Sequence, residues 1–176
     1  MTNRNLINQY LKQTQDIYGD KLYFNFKKDP KYSKVADYSL DEFYSSIKNC
    51  QACQLGATRK SFVFGVGDKN ADLLLVGEAP GAKEEELGKP FVGRSGKLLD
   101  QLLQNAGIDI NLDVYFCNVI KCRPPKNRRP TKAEIQENLP WLYQQIKLVN
   151  PEIILLVGAT ALQAILKNKS PISILR

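Results

Sequence analysis

Three short apolar runs constrain this chain more than any other feature: Asp72 to Val76 (DLLLV), Val114 to Ile120 (VYFCNVI) and Glu152 to Val157 (EIILLV). Each is bounded by Gly, Pro or Asn and is too continuously apolar to have one wet face, so each reads as a strand buried on both sides. Helical patterns lie between them. Ser95 can cap a helix carrying Leu98, Leu99, Leu102, Leu103 and Ala106, which Gly107 ends. Thr131 and Glu134 form a capping box, after which Ile135, Leu139, Leu142, Ile146 and Val149 share one face. Pro140 is expected to kink that helix or to restart it, with Asn138 as the new cap. Strand alternating with helix predicts an α/β fold, a three-layer αβα domain around a short, mainly parallel central sheet with helices on both faces.

The 176 residues leave room for one such domain. Ser39 and Glu42 make a further capping box opening a short helix, Leu40 to Lys48, so the domain is expected over residues 39–176. Residues 1–38 are expected to be an N-terminal extension: an amphipathic helix within 1–20 on Leu6, Ile7, Tyr10, Leu11, Ile17 and Tyr18, then a basic, aromatic linker or arm. Apolar residues at 43% and charged residues at 24% exclude wholesale disorder. The longest apolar run, Ile153 to Val157, is far short of the roughly 20 residues a membrane helix needs, so no membrane partner is expected. Met1 to Asn8 is polar and lacks the apolar core of a secretory signal, which makes the cytoplasm the expected compartment. Four cysteines in that setting point to metal or thiol chemistry rather than disulfides. The net charge of +7 leans toward a polyanionic partner. There is no histidine, which removes the commonest general base, imidazole metal ligands and every Ser/His or Cys/His nucleophile pair.

In open α/β sheets ligands bind beyond the carboxyl ends of the strands. Gly77-Glu78-Ala79-Pro80-Gly81 follows the first run, and its glycines permit a tight turn with close backbone approach. It runs on to Gly88-Lys89-Pro90-Phe91-Val92-Gly93-Arg94-Ser95-Gly96, where Phe91 offers either an aromatic platform for a flat ring or an ordinary core contact. After the second run, Lys121 to Lys132 holds six basic residues, no acid and three prolines, a stiff cationic loop suited to phosphate contacts. Asn118, at the end of that run, can offer a donor and an acceptor together to the edge of a base. Cys50-Gln51-Ala52-Cys53, with Cys122 distant in sequence and Cys117 as a possible extra, favours a zinc or iron–sulfur site over a redox pair.

Taken together, Gly77-Glu78-Ala79-Pro80-Gly81, Gly88-x-Pro90-Phe91-Val92-Gly93-x-x-Gly96, and Asn118-x-x-Lys121-Cys122-Arg123-Pro124-Pro125-x-Asn127-Arg128-x-Pro130 resemble family 4 uracil-DNA glycosylase, the iron–sulfur type. The resemblance covers about Cys50 to Arg176. It implies a DNA repair enzyme, monomeric on DNA, that flips uracil out and hydrolyses its N-glycosidic bond. Gly77, Glu78 and Ala79 would form the catalytic loop, with Glu78 near the sugar and the attacking water; related classes carry an aspartate at the position of Ala79. Gly81 and Phe91 would bind the base, Phe91 by stacking, while Asn118 would pair with the uracil edge and reject cytosine. Lys121, Arg123, Lys126, Arg128 and Arg129 would hold the DNA backbone. Cys50, Cys53 and Cys122 would ligate a [4Fe-4S] cluster that orders loops, and the family's fourth cysteine position falls at Asn138. The family's second catalytic motif, a His-Pro-Ser loop, would lie beyond Arg176, and Ile172 to Arg176 resembles the approach to a last strand. The chain is therefore expected to be truncated, without the final strand and helix, and weak or inactive as given. The competing readings are a noncatalytic DNA-binding remnant, a glycosylase for other deaminated bases, and a zinc module.

Overall fold

The computed structural model describes residues 38–167. The expected helix over 1–20, all of the arm except Tyr38, and Ile172 to Arg176 lie outside the described residues. In chain order the elements are α1 (Leu40–Ile47), α2 (Leu55–Thr58), β1 (Val66–Gly67), β2 (Leu73–Gly77), α3 (Ala82–Leu87), α4 (Arg94–Asn105), β3 (Val114–Asn118), a 3-10 turn (Pro125–Asn127), α5 (Lys132–Val149), β4 (Ile153–Leu156) and α6 (Ala159–Leu166).

The three apolar runs become β2, β3 and β4, mutually parallel, in a sheet ordered β1-β3-β2-β4. β1 pairs antiparallel with β3, a two-residue edge that no apolar pattern announces. Every residue of β2 and β3 is buried. The third run departs from the expectation of burial on both sides: β4 is an edge strand among the described residues, its residues are only partly buried, and Leu155 is 41% exposed. Side chains alternate between two cores: Leu74, Val76, Tyr115 and Cys117 face α1, α5 and α6, whereas Leu73, Leu75, Val114 and Phe116 face Leu99 and Leu103 of α4. The three-layer α/β expectation is met.

Local departures have local causes. α4 is capped by Gly93 rather than Ser95, because the Gly93 N–H is taken by a distant carboxylate, Glu84 Oε1, at 2.7 Å. Of the leucines this helix carries, Leu99 and Leu103 pack in the core, whereas Leu98 and Leu102 are 58% and 57% exposed. α5 runs unbroken through Pro140, and Asn138 sits inside the helix with its amide donating back to Glu134 O at 2.9 Å instead of opening a new one. β3 ends at Asn118, two residues before the apolar run does; Val119 N and Ile120 N instead donate to Gly77 O and Glu78 O, at 2.9 and 3.0 Å.

The site follows from this topology. The chain after β2 leads to α4 on one face, while the chains after β3 and β4 lead to α5 and α6 on the other. A crevice must open where connections part in this way, at the carboxyl end of β2.

Candidate functional site

Gly77 and Asn118 are register partners at the ends of β2 and β3, so the loops that follow both strands leave the sheet side by side. They enclose a cleft of about 350 Å³ lined by, among others, Glu78, Pro80, Phe91, Asn118, Arg128 and Val157. Asn118 is almost wholly buried, yet its side-chain amide has no hydrogen-bond partner among the described residues. The amide atoms open onto the cleft, where a ligand can supply a donor and an acceptor to them.

Phe91 is both a core contact and part of the cleft wall. Its ring tilts against Phe116, centroids 5.6 Å apart, and also lines the cleft. The residue sits at φ 56°, in the left-handed region, where a side chain costs about 1–2 kcal/mol per residue. The fold holds it there by close packing: a Cβ on Gly96 would collide with the Phe91 carbonyl, so only glycine lets α4 approach this backbone.

Two contacts were not legible in the sequence. Glu84 spans the loops, accepting from Gly81 N at 3.2 Å and Gly93 N at 2.7 Å. It thereby fixes the segment before α3 relative to the one before α4. A capping box with Ser or Thr would have signalled this, but Gly81 gives no such sign. Glu78 Oε2 accepts from the hydroxyl of Thr160, at the start of α6, 82 residues away in sequence.

The cationic loop is only partly what its charge predicts. Lys121, expected against the DNA backbone, is 0% exposed and corrects that expectation. Its Nζ donates to Asn118 O at 2.6 Å and to Gln145 Oε1, and Gln145 Nε2 donates to Phe64 O at 2.9 Å, so the ammonium braces the end of β3 from behind. Burial pushes its pKa down. Arg123 donates to Asn127 Oδ1 at 2.7 Å and reaches Glu85 at 3.4 Å. Arg128 grips Glu134 with both terminal nitrogens, at 2.8 and 2.6 Å. That fork holds the Glu134 carboxyl down at about 2. Lys126 and Arg129 are exposed, and Lys126 has no ion-pair partner among the described residues.

Residues 64–174 match the model of the Uracil DNA glycosylase superfamily. The chain belongs to that superfamily. It is 46% identical over 123 residues, 70% of its length, to a type-4 uracil-DNA glycosylase of Thermotoga maritima, covering 64% of that protein. It is 42% identical over 128 residues, 73% of its length, to the type-4 uracil-DNA glycosylase of Pyrobaculum aerophilum, covering 65% of it. The chain therefore spans just under two thirds of the length of these relatives.

In this superfamily member Cys50 and Cys53 lie near enough to Cys122 to act on its thiol. Cys122 is buried, and its thiol is pushed up by burial, drawn down by Arg59 and raised again by Cys53 and Cys50. Arg59 Nη1 lies 3.5 Å from Cys122 Sγ, and Asn138 Nδ2 lies 3.8 Å from Cys53 Sγ. Asn138 thus stands beside Cys53, but its Oδ1 accepts from Lys121 N at 3.2 Å and its Nδ2 also donates to Glu134 O. Cys117 is wholly buried in the core against α1, α5 and α6. Among the described residues no group of three His, Cys, Asp or Glu side chains is arranged to hold a metal ion. A four-thiolate cluster does not fit the residues present.

No helix among the described residues is long and apolar enough to cross a membrane.

Proposed function

We propose that this chain is of the type-4 class and removes uracil from DNA by hydrolysing its N-glycosidic bond. The observation that carries the reading is the unspent amide of Asn118 beside the ring of Phe91 in one cleft. The amide supplies one acceptor and one donor, the complement of the N3–H and carbonyl of uracil, while Phe91 supplies a flat apolar face. The names of the relatives point to the same substrate.

Uracil in a duplex must be extruded before it can enter such a cleft, at a cost of a few kcal/mol that is least in single strands. Lys126 and Arg129, exposed on the loop beside the cleft, would hold the backbone meanwhile. Water then adds to the anomeric carbon as the bond to the base nitrogen breaks, and the uracil anion leaves, to be protonated afterwards. The sugar passes through an oxocarbenium-like state that the Glu78 carboxylate would stabilise, and Glu78 would orient the water. Asn118 would donate to the departing base. The type-4 class implies a [4Fe-4S] cluster, for which Cys50, Cys53 and Cys122 would offer three thiolates where four are needed, and no step depends on it. We assign the protein to the cytoplasm, acting on DNA as a monomer.

The test is release of free uracil from a single-stranded oligonucleotide, detected by mass spectrometry. The reading predicts uracil from the uracil-containing strand, greatly reduced by Asn118→Ala and Glu78→Gln; no release at any enzyme concentration contradicts it.

A further inference from the structure

Outside the loops that carry the cleft, the described residues place one buried polar side chain against its acidic group. Thr160 is 4% exposed and opens α6, on the far side of β4 from the sequence motifs. Its hydroxyl donates to Glu78 Oε2, and Arg129 Nε lies 3.3 Å from the Thr160 hydroxyl oxygen, Oγ1. The direction of this chain is fixed by chemistry. Arg129 can only donate and an ionised carboxylate can only accept, so the hydroxyl accepts from Arg129 and spends its single proton on Glu78. Hydrogen bonds in series polarise one another, which strengthens the link to the carboxylate.

We propose that Thr160 is a positioning residue: it fixes the rotamer of the Glu78 carboxylate and ties it to Arg129 on the cationic loop. One end of the relay is exposed, where a nucleic-acid phosphate would engage Arg129, and the other is the acid beside the cleft. Engagement of the backbone and orientation of Glu78 are thereby linked through one hydroxyl. The kinetic part of this inference rests on the uracil-excision reading; the geometric part does not.

Two variants separate hydrogen bonding from packing. Thr160→Val keeps the shape and loses the hydroxyl, and Thr160→Ser keeps the hydroxyl and loses the methyl. A role in packing makes Ser the damaging change, and a role in positioning makes it Val. The experiment determines crystal structures of the full chain and both variants, and measures uracil release from a single-stranded oligonucleotide by each. The expected result is a Glu78 carboxylate displaced in Thr160→Val and in place in Thr160→Ser. With it, kcat falls about 10- to 100-fold in the Val variant, the scale of a lost hydrogen bond to a charged group, at unchanged KM, and Ser restores it. An undisplaced carboxylate in Thr160→Val, or a Ser variant as impaired as Val, overturns the proposal. If the wild-type chain releases no uracil, the excision reading fails, and the carboxylate positions alone decide for or against Thr160.

Discussion

Phe91 and Asn118 approach Gly77 so closely that a Cβ there would lie inside 3.0 Å of both Cζ of the ring and Oδ1 of the amide. The ring and the amide therefore meet over a residue that must have no side chain. Gly77→Ala would push them apart from within. It is expected to cost about 1–3 kcal/mol of stability, the usual penalty of overpacking, and to abolish preferential binding of uracil-containing strands. Urea unfolding and a binding titration check the two parts.

The cations divide by burial. Lys126→Gln should leave the urea midpoint unchanged, weaken binding to any DNA strand, and lower the slope of log affinity against log salt by about 1. Lys121→Met should do the reverse, lowering the midpoint because Asn118 O and Gln145 lose their partner, with the salt slope intact. A salt slope reduced by Lys121→Met would place that residue against phosphate after all.

Glu134 gives a pH signature. Arg128 holds its carboxyl at about 2, against an ordinary value of 4.5, so both folded and unfolded states are ionised at neutral pH and the contribution is fully present. As pH falls from about 4.5 toward about 2, the unfolded chain takes a proton that the folded one refuses, and stability is lost. Glu134→Gln should flatten this part of the stability profile, measured as urea midpoint against pH. Parallel profiles for the two proteins would contradict the pairing. Arg128 is itself 42% exposed, so the effect should be small and should weaken in salt.

Asn138→Cys supplies the thiol that the cysteine site lacks. Purified without oxygen, the variant should carry more iron per chain and stronger visible thiolate-to-iron absorption than the wild type. A wild-type chain already carrying about four irons would show that three thiolates suffice here.

Much of this architecture was legible because the runs around Leu74 and Phe116 are so largely apolar, as strands buried on both faces are, whereas the run around Leu155 makes an edge strand of the described sheet with Leu155 41% exposed. The two capping boxes at Ser39 and Thr131 likewise fixed helix starts, since hydroxyl and carboxylate satisfy each other locally. What failed was decided by partners distant in the chain. Gly93 starts α4 because Glu84 reaches it across a loop, and Lys121 is buried because Gln145, on a helix 24 residues on, waits behind it. Pro140 interrupts nothing because α5 packs on the core along its length through Leu142, Ile146 and Val149. In the site, Phe91 and Asn118 converge as their loops suggested, whereas Thr160 belongs to no motif and was visible only once α6 had folded beside Glu78.

The most direct test of the account compares the affinity of this chain for a single strand carrying one uracil with that for the same strand carrying cytosine, before and after Asn118→Asp. The cleft predicts a clear preference for uracil, roughly tenfold or more for a paired buried amide, and its loss when the donor becomes a second acceptor. Equal affinity of the wild-type chain for the two strands would contradict it.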